Sequence, residues 1–450
     1  MYILLINDLT KKFKSFIIWG LILVILFISY MNISIENNKR NLKTYTKSNI
    51  QYYEISGRVL YGSFERYQMQ TGEIDKNNYD LLVDIVDQQN KYYKTKDFKN
   101  FYKISCFGNI IDAHSTVGSN STNPFIKKIL DKKSLEIWDE VSDGIKYEDI
   151  NFQKGTSGVE HEFSQFIMHM LNLKYNYYMY ENNIGYYSNE DYNNMGFTYR
   201  FLITMIPILI IIIGILTNYD NINKEVNEGS TKLILTQSTS RWKYYLSKYF
   251  SGVIIVLFII IVPMVIINII LGIKYGFQPA NFPVFYDKQG LTRFLPAFNY
   301  LEKYKEFYGY EYRWGISSTP LVPLGAGDGI IMIQRNINII PYYQFILLSI
   351  IYLILFTLFL VAFVQLFSTL INNQIISIAA ILGIYGGMYF LGKGFLTERH
   401  YNVNPFTMHN SARIVAGTHN VTMLTAAIIL ISSTILFLAI GLKYFKVKEI

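Results

Sequence analysis

The chain has 450 residues, 51% of them hydrophobic and 16% charged, with a formal net charge of +8. Apolar residues gathered into long uncharged runs exclude a string of soluble domains and point to a membrane protein. The single cysteine, Cys106, leaves no intramolecular disulfide to stabilise any part of the chain.

Residues 1–15 mix apolar positions (Ile3, Leu4, Leu5, Ile6, Leu9, Phe13) with Lys11, Lys12 and Lys14. That pattern suits either a helix lying on the inner leaflet or the first turns of a span. Six apolar runs, uncharged but for Arg200 at the edge of the second, then predict membrane helices over 16–34, 199–217, 249–273, 342–371, 374–392 and 422–442. No small-residue cleavage pattern follows Tyr30–Ile35, so the first run is expected to be a retained anchor within a 1–34 unit.

The insertion at 35–197 holds nineteen Lys/Arg and twenty-two Asp/Glu. Helical spacing predicts three helices in it, Asn78–Phe101, Pro124–Val141 and Val159–Tyr180. Gly and Asn clusters separate them, and Cys106 beside Phe107 reads as a buried small apolar residue. After the second span (198–217) comes a polar loop, 218–248, and then the third span, 249–273. A second outer segment, 274–341, carries most of the ten prolines and many aromatics, and reads as irregular structure. Spans four and five, 342–392, join by a tight turn at Asn372–Gln374. The fifth run carries Gly383, Gly386, Gly387 and Gly392, which suit close helix packing or a flexible gate. A connection at 393–421 leads to the last span and its basic tail, 422–450.

Cations set the expected orientation. The first fifteen residues, the 218–248 loop and the tail together hold eleven Lys/Arg against five Asp/Glu, a surplus of six. Six spans with both termini cytoplasmic place all three segments inside and the slightly acidic insertion outside. The basic balance therefore reflects topology and argues against nucleic acid as a partner. Abundant Lys, Asn, Ile and Tyr suggest a bacterial genome, hence a bacterial plasma membrane. The fold expected is mainly α, polytopic, with six transmembrane helices and a large, mostly helical extracytoplasmic insertion between spans 1 and 2.

The loop 218–248, NYDNINKEVNEGSTKLILTQSTSRWKYYLSK, carries most of the functional inference. Asn221–Glu228 reads as a helical extension of the second span, stopped at Gly229. Ser230 or Thr231 can cap a short helix to Gln237, which shows Leu233, Ile234 and Leu235 outside the bilayer. Ser240 can cap the next helix, through Arg241 and Lys248 into the third span. Exposed apolar residues on such a foot need a partner surface, or else lie back on lipid.

Glu225, Gly229, Ser230 and Leu235, followed by Ser240, Arg241 and a later Lys248, resemble the loop of the membrane-spanning permease of type-2 ABC exporters. Asn404-Pro405-Phe406 ahead of the last span and the basic tail Lys443–Ile450 add to the likeness. It covers roughly 1–34 and 199–450, and does not cover the 35–197 insertion. The resemblance implies that Ser230–Gln237 is a coupling helix docking in a groove of a separate ATPase, with Glu225, Glu228 and Arg241 as polar contacts nearby. Glu225, Glu228, Gly229, Ser230, Thr231, Leu235, Ser240, Arg241 and Lys248 are the coupling residues it implies. It also implies two permeases, identical or paralogous, paired in the lipid over two ATPases. ATP and Mg would be bound by the ATPase, with no cofactor in this chain.

Other constellations are weak. No G-x-x-x-x-G-K-S/T loop occurs; Gly325-Ala-Gly327-Asp-Gly329 lacks the Lys, so a pump of this kind must borrow its energy source. His161-Glu162 and His169 are eight residues apart where a helical zinc pair needs four, and His114, His400, His409 and His419 show no ligand spacing. No Gly-x-Ser-x-Gly elbow supports a nucleophile, so the chain is not expected to be an enzyme. Apart from Arg200 at the very start of the second run, the six runs hold no Asp, Glu, Lys or Arg, which disfavours an ion-coupled carrier. Asn268 and Gln365 read as helix–helix hydrogen-bonding residues. The expected function is export of a hydrophobic or amphipathic cargo, with an antimicrobial peptide as first guess and lipids or small toxic compounds next. The alternative is a membrane-anchored sensor that binds ligand through 35–197.

Overall fold

The computed structural model describes residues 1–41, 76–117, 172–185, 193–236, 240–287, 290–292, 294, 337–395, 403–417, 419 and 421–448. It is mainly helical. Helix α1 (Tyr2–Phe13) stops at Lys14, and Ser15 starts α2 (Phe16–Asn41) by accepting from the Ile17 amide at 3.3 Å. Between the two alternatives for residues 1–15, the structure has a separate helix. The insertion contributes α3 (Lys76–Thr95), α4 (Phe98–Val117) and a helical stretch over 172–181.

The expected single helix Asn78–Phe101 is broken. Lys96 takes a left-handed φ of 59°, and Asp97 accepts from the Asn100 amide at 3.3 Å to begin the next helix. The expected helix Pro124–Val141, His161, Glu162, His169, His400 and Gly325–Gly329 lie outside the described residues.

The second crossing is compound: α5 (Asn194–Arg200), a π-helical turn (Phe201–Met205) and α6 (Ile206–Leu216). Pro207 explains the irregularity. It lacks the N–H that would bond the Ile203 carbonyl one turn back. Asn410 supplies the missing donor, its Nδ2 reaching Ile203 O at 3.0 Å.

The foot follows as α7 (Asn223–Asn227) and α8 (Ser230–Thr236), and then α9 (Arg241–Tyr275) crosses back. Strand β1 (Pro283–Asp287) pairs antiparallel with β2 (Ile337–Pro341), Phe285 opposite Ile339. This ladder corrects the reading of 274–341 as irregular at 283–287 and 337–341, where Val284 and Phe285 are buried and packing adds to the ladder. The remaining helices are α10 (Tyr342–Leu370), α11 (Gln374–Phe395), α12 (Ser411–Ala416) and α13 (Met423–Val447).

Among the described residues, six helices are long and apolar enough to cross a membrane: Phe16–Ser34, Asn194–Leu216, Arg241–Tyr275, Tyr342–Leu370, Gln374–Gly392 and Met423–Val447. The spanning helices carry more charge than the uncharged runs suggested, because α9 begins at Arg241 and includes Lys248. Helix α10 is the hub. Some 56% of its apolar window is buried, against 22% for α2, 22% for α11 and 17% for α13, so these three keep faces for lipid or partners. Phe356, Phe359 and Phe363 fill the centre, and Phe406 of the Asn404-Pro405-Phe406 loop lies edge-on to Phe359 and Phe363 at 5.1 and 5.0 Å. Asn404 fixes that loop by donating to Met388 O at 2.7 Å and capping the Phe406 amide at 3.0 Å. Asn268 bonds Asn194 O and Thr198 Oγ1, and Gln365 bonds Tyr245 O, across helix pairs. On α11, Gly392 packs closely, since an added Cβ would lie 2.5 Å from Asn404 Nδ2 and 2.7 Å from Thr407, whereas Gly383, Gly386 and Gly387 have nothing within 4 Å of an added Cβ among the described residues.

Close packing is also found at Gly252 of α9, where a Cβ would lie 2.1 Å from Asn218 Oδ1 and 3.1 Å from Val361. Asn218 cannot swing aside freely, because its Nδ2 donates to Gly214 O at 3.0 Å. Gly252→Val is expected to cost about 1–3 kcal/mol by overpacking, read as a lowered melting temperature of the purified protein in detergent. An unchanged melting temperature would contradict this packing.

Candidate functional site

The foot is not a continuation of α6. Thr217 and Asn218 turn their side chains onto the Ile213 and Gly214 carbonyls, at 2.7 and 3.0 Å, and the helix ends at Leu216. The expected extension Asn221–Glu228 is thereby replaced by a turn and the short α7. Gly229 then takes φ +74°, the left-handed conformation that lets α8 start in a new direction. Ser230 Oγ donates back to Glu225 O at 3.1 Å.

At the centre lies a buried ion cluster. Glu225 of α7 accepts from Lys248 Nζ at 2.7 Å, from Lys11 Nζ at 3.0 Å and from Tyr244 OH at 2.5 Å. Lys248 also donates to Asp8 Oδ1, and Ser251 Oγ donates to Asp8 Oδ2. Lys12 Nζ stands 3.8 Å from Asp8 Oδ2. Thr231, buried at the start of α8, lies 3.3 Å from Tyr244 OH. Three elements far apart in sequence, α1, α7 and the first turns of α9, thus meet at one ammonium.

Burial alone would raise the Glu225 pKa, but the Lys248 charge and the hydrogen bonds from Lys248, Tyr244 and Lys11 outweigh it and hold the carboxyl at about 2. The hydrogen bond to Glu225, set against a smaller desolvation effect, raises Lys11. Burial dominates at Lys12 and lowers it to about 8.

A second set of contacts ties the foot to α10 and α13. Arg241 donates to the carbonyls of Phe445, Lys446 and Lys448, at 3.2, 3.0 and 2.8 Å, capping the end of α13 with a cation. Lys448 Nζ bonds Thr369 O at 2.7 Å at the end of α10. Asn223 and Asn227 reach the carbonyls of Ile371 and Asn372 at 3.2 and 2.9 Å. Ile222, Tyr244, Tyr245 and Phe445 make a small apolar core, with Ile234 and Leu235 half-buried against it. Tyr244 stacks on Phe445 at 5.9 Å.

The structure therefore separates the sequence-derived residues. Glu225, Thr231 and Lys248 converge around Tyr244, whereas Leu235 and Arg241 face the end of α13. Ser240 occupies the N-cap position of α9, but its hydroxyl makes no cap hydrogen bond. Glu228 is exposed, as are Lys232, Leu233, Trp242 and Lys243. Asp8 and Tyr244 are the residues that sequence reasoning missed. A carboxylate in the middle of ILLINDLTKKF, one turn before Lys12, was the available signal for Asp8. His409 is half-buried between Phe356 of α10 and Tyr389 of α11, and among the described residues no group of His, Cys, Asp and Glu is arranged to hold a metal ion.

A helical protein with six membrane-crossing helices among its described residues and a structured foot between the second and third of them is a multi-pass membrane component. A family model described as ABC-2 family transporter protein matches residues 14–443, and the chain belongs to that family. No curated protein and no solved structure matches the chain. Membership makes the chain a multi-pass membrane permease of an ABC transporter, a transport component rather than a nucleotide-binding one.

The ion cluster gives a pH dependence with a definite sign. The Glu225 pKa is depressed, so its contribution to foot stability is complete above about 4.5 and fades as pH falls towards about 2. Glu225→Gln leaves Lys248 balanced by Asp8 alone and takes the carboxylate from Lys11, and is expected to cost about 3–5 kcal/mol, read as faster tryptic cleavage at Lys232. Lys248→Met lets burial dominate at Glu225, and acid loosening of the foot then begins at a higher pH. Superimposable cleavage-against-pH curves for wild type and Lys248→Met would contradict the arrangement.

Proposed function

We propose that the foot is the cytoplasmic docking element for an ABC ATPase, and that the chain exports a hydrophobic or amphipathic cargo when that ATPase cycles. The observation that carries this reading is the division of the foot into two faces. One face is consumed by inward bonds from Glu225, Thr231 and Arg241, which make it stiff. The other presents Leu233, 67% exposed, and Trp242, 44% exposed, next to Lys232, Lys243 and Glu228. An apolar anchor ringed by charge on a rigid support is how protein interfaces concentrate binding energy. The surplus of Lys over Glu on that face favours an acidic groove in the partner.

Orientation follows from the same chemistry. α1, the foot and the ends of α10 and α13 meet at one end of the bundle, and the basic segments of the chain collect there, which supports a cytoplasmic location for that end and an outer location for 35–197 and the strand pair. The open glycine face of α11 and the sparsely buried α2 support pairing with a second permease, identical or paralogous, in a bacterial plasma membrane. The aromatic content of the outer region supports a peptide cargo such as an antimicrobial peptide. In this account Glu225, Thr231 and Lys248 position the foot, while Leu233, Trp242 and Glu228 touch the ATPase.

The test is affinity capture of a candidate ABC ATPase from the same genome co-expressed with the permease. Leu233→Asp and Trp242→Ala are each expected to weaken the complex by about 2 kcal/mol, roughly thirtyfold in Kd, without altering the monodispersity of the permease. Wild-type affinity in both variants, or no complex with the wild-type permease, would refute the docking role.

A further inference from the structure

Helix α1 is amphipathic in an unusual sense. Its one fully buried side chain is the carboxylate of Asp8, whereas Tyr2, Ile3 and Ile6 point outwards. That apolar face runs on into exposed Phe16 and Ile17 of α2, so it belongs against lipid and cannot fasten α1 to the protein. Leu9 and Phe13, the latter edge-on to Phe258 at 4.9 Å, pack only the second half of the helix against the core. The charged contact lies between them and the first turn: Asp8 accepts from Lys248 and from Ser251.

The same Lys248 Nζ reaches Glu225 of the foot at 2.7 Å. We propose that Lys248 is a junction through which α1 and the foot move as one body, and that Asp8 is the positioning residue that keeps α1 on it. An ammonium has three protons to give and here divides them between carboxylates on two different elements. Neither carboxylate can leave without stranding charge in a buried site. Lys11 adds a direct α1–foot bond to Glu225 at 3.0 Å. Only Lys14 and Ser15 separate α1 from α2, and two residues cannot absorb a displacement of more than about 7 Å. A push on the foot therefore reaches the first crossing through α1 as well as the third through α9. This holds whether or not an ATPase is what pushes.

The experiment uses the permease alone, in nanodiscs of phosphatidylethanolamine and phosphatidylglycerol. Spin labels are placed at Asn7→Cys on α1 and Lys232→Cys on α8, both exposed, with buried Cys106 changed to Ala. The expected result is one narrow distance for the parent protein and for Asp8→Glu. Asp8→Asn is expected to raise a second, longer distance about tenfold or more in population. In a Lys248→Met background, Asp8→Asn should then add nothing, because both act through the same ammonium. Should Asp8→Asn fail to purify, Lys11→Ala combined with Ser251→Ala is expected to broaden the distribution in the same direction. A single unchanged distance in Asp8→Asn (or in that substitute pair), or additive effects of Asp8→Asn and Lys248→Met, overturns the proposal.

Discussion

One buried ammonium decides the shape of the working end of this permease. Lys248 sits where burial penalises charge heavily, and it is tolerable there because Asp8 and Glu225, from two different elements, neutralise it. Such a cluster adds little net stability compared with apolar packing, but it is unforgiving of partial disruption. It therefore acts as a register device. Residues 8, 225 and 248 must all be in place at once, which fixes the foot against α1 and α9. Arg241 and Lys448 then extend the block to the ends of α13 and α10 through backbone carbonyls that a helix terminus leaves free.

The rest of the bundle is built on a different principle. Around α10 the packing is aromatic and close, with Phe356, Phe359 and Phe363 buried and Phe406 wedged between helices. At the periphery α2, α11 and α13 leave most of their apolar windows open. A stiff foot feeding a dense core with a loosely held rim suits a machine in which force enters at one end and the rim rearranges. Family membership supplies the class of machine, a permease of an ABC transporter.

Much of the fold was legible because the bilayer imposes a length and an apolarity that a sequence cannot hide. Gly229 was legible too, since a left-handed residue between two polar helical stretches calls for glycine. What escaped notice depended on tertiary partners. Asp8 reads in sequence as one charge in an interfacial helix, and only the approach of Lys248 from 240 residues away makes it a buried ligand. Arg241 looks like a surface contact until the end of α13 arrives beside it. The early end of α6 lay in the ability of Thr217 and Asn218 to bond their own helix, a local competition that hydropathy does not register. The strands β1 and β2 are separated by 49 residues, so no turn signal announced them.

The account turns on which side of the membrane the foot occupies. Reaction of an impermeant maleimide with single cysteines at Lys232 and at Lys99, before and after opening the cells, answers that directly. Labelling of Lys99→Cys in intact cells, with Lys232→Cys reacting only once the membrane is breached, is the predicted result. Labelling of Lys232→Cys in intact cells would contradict it.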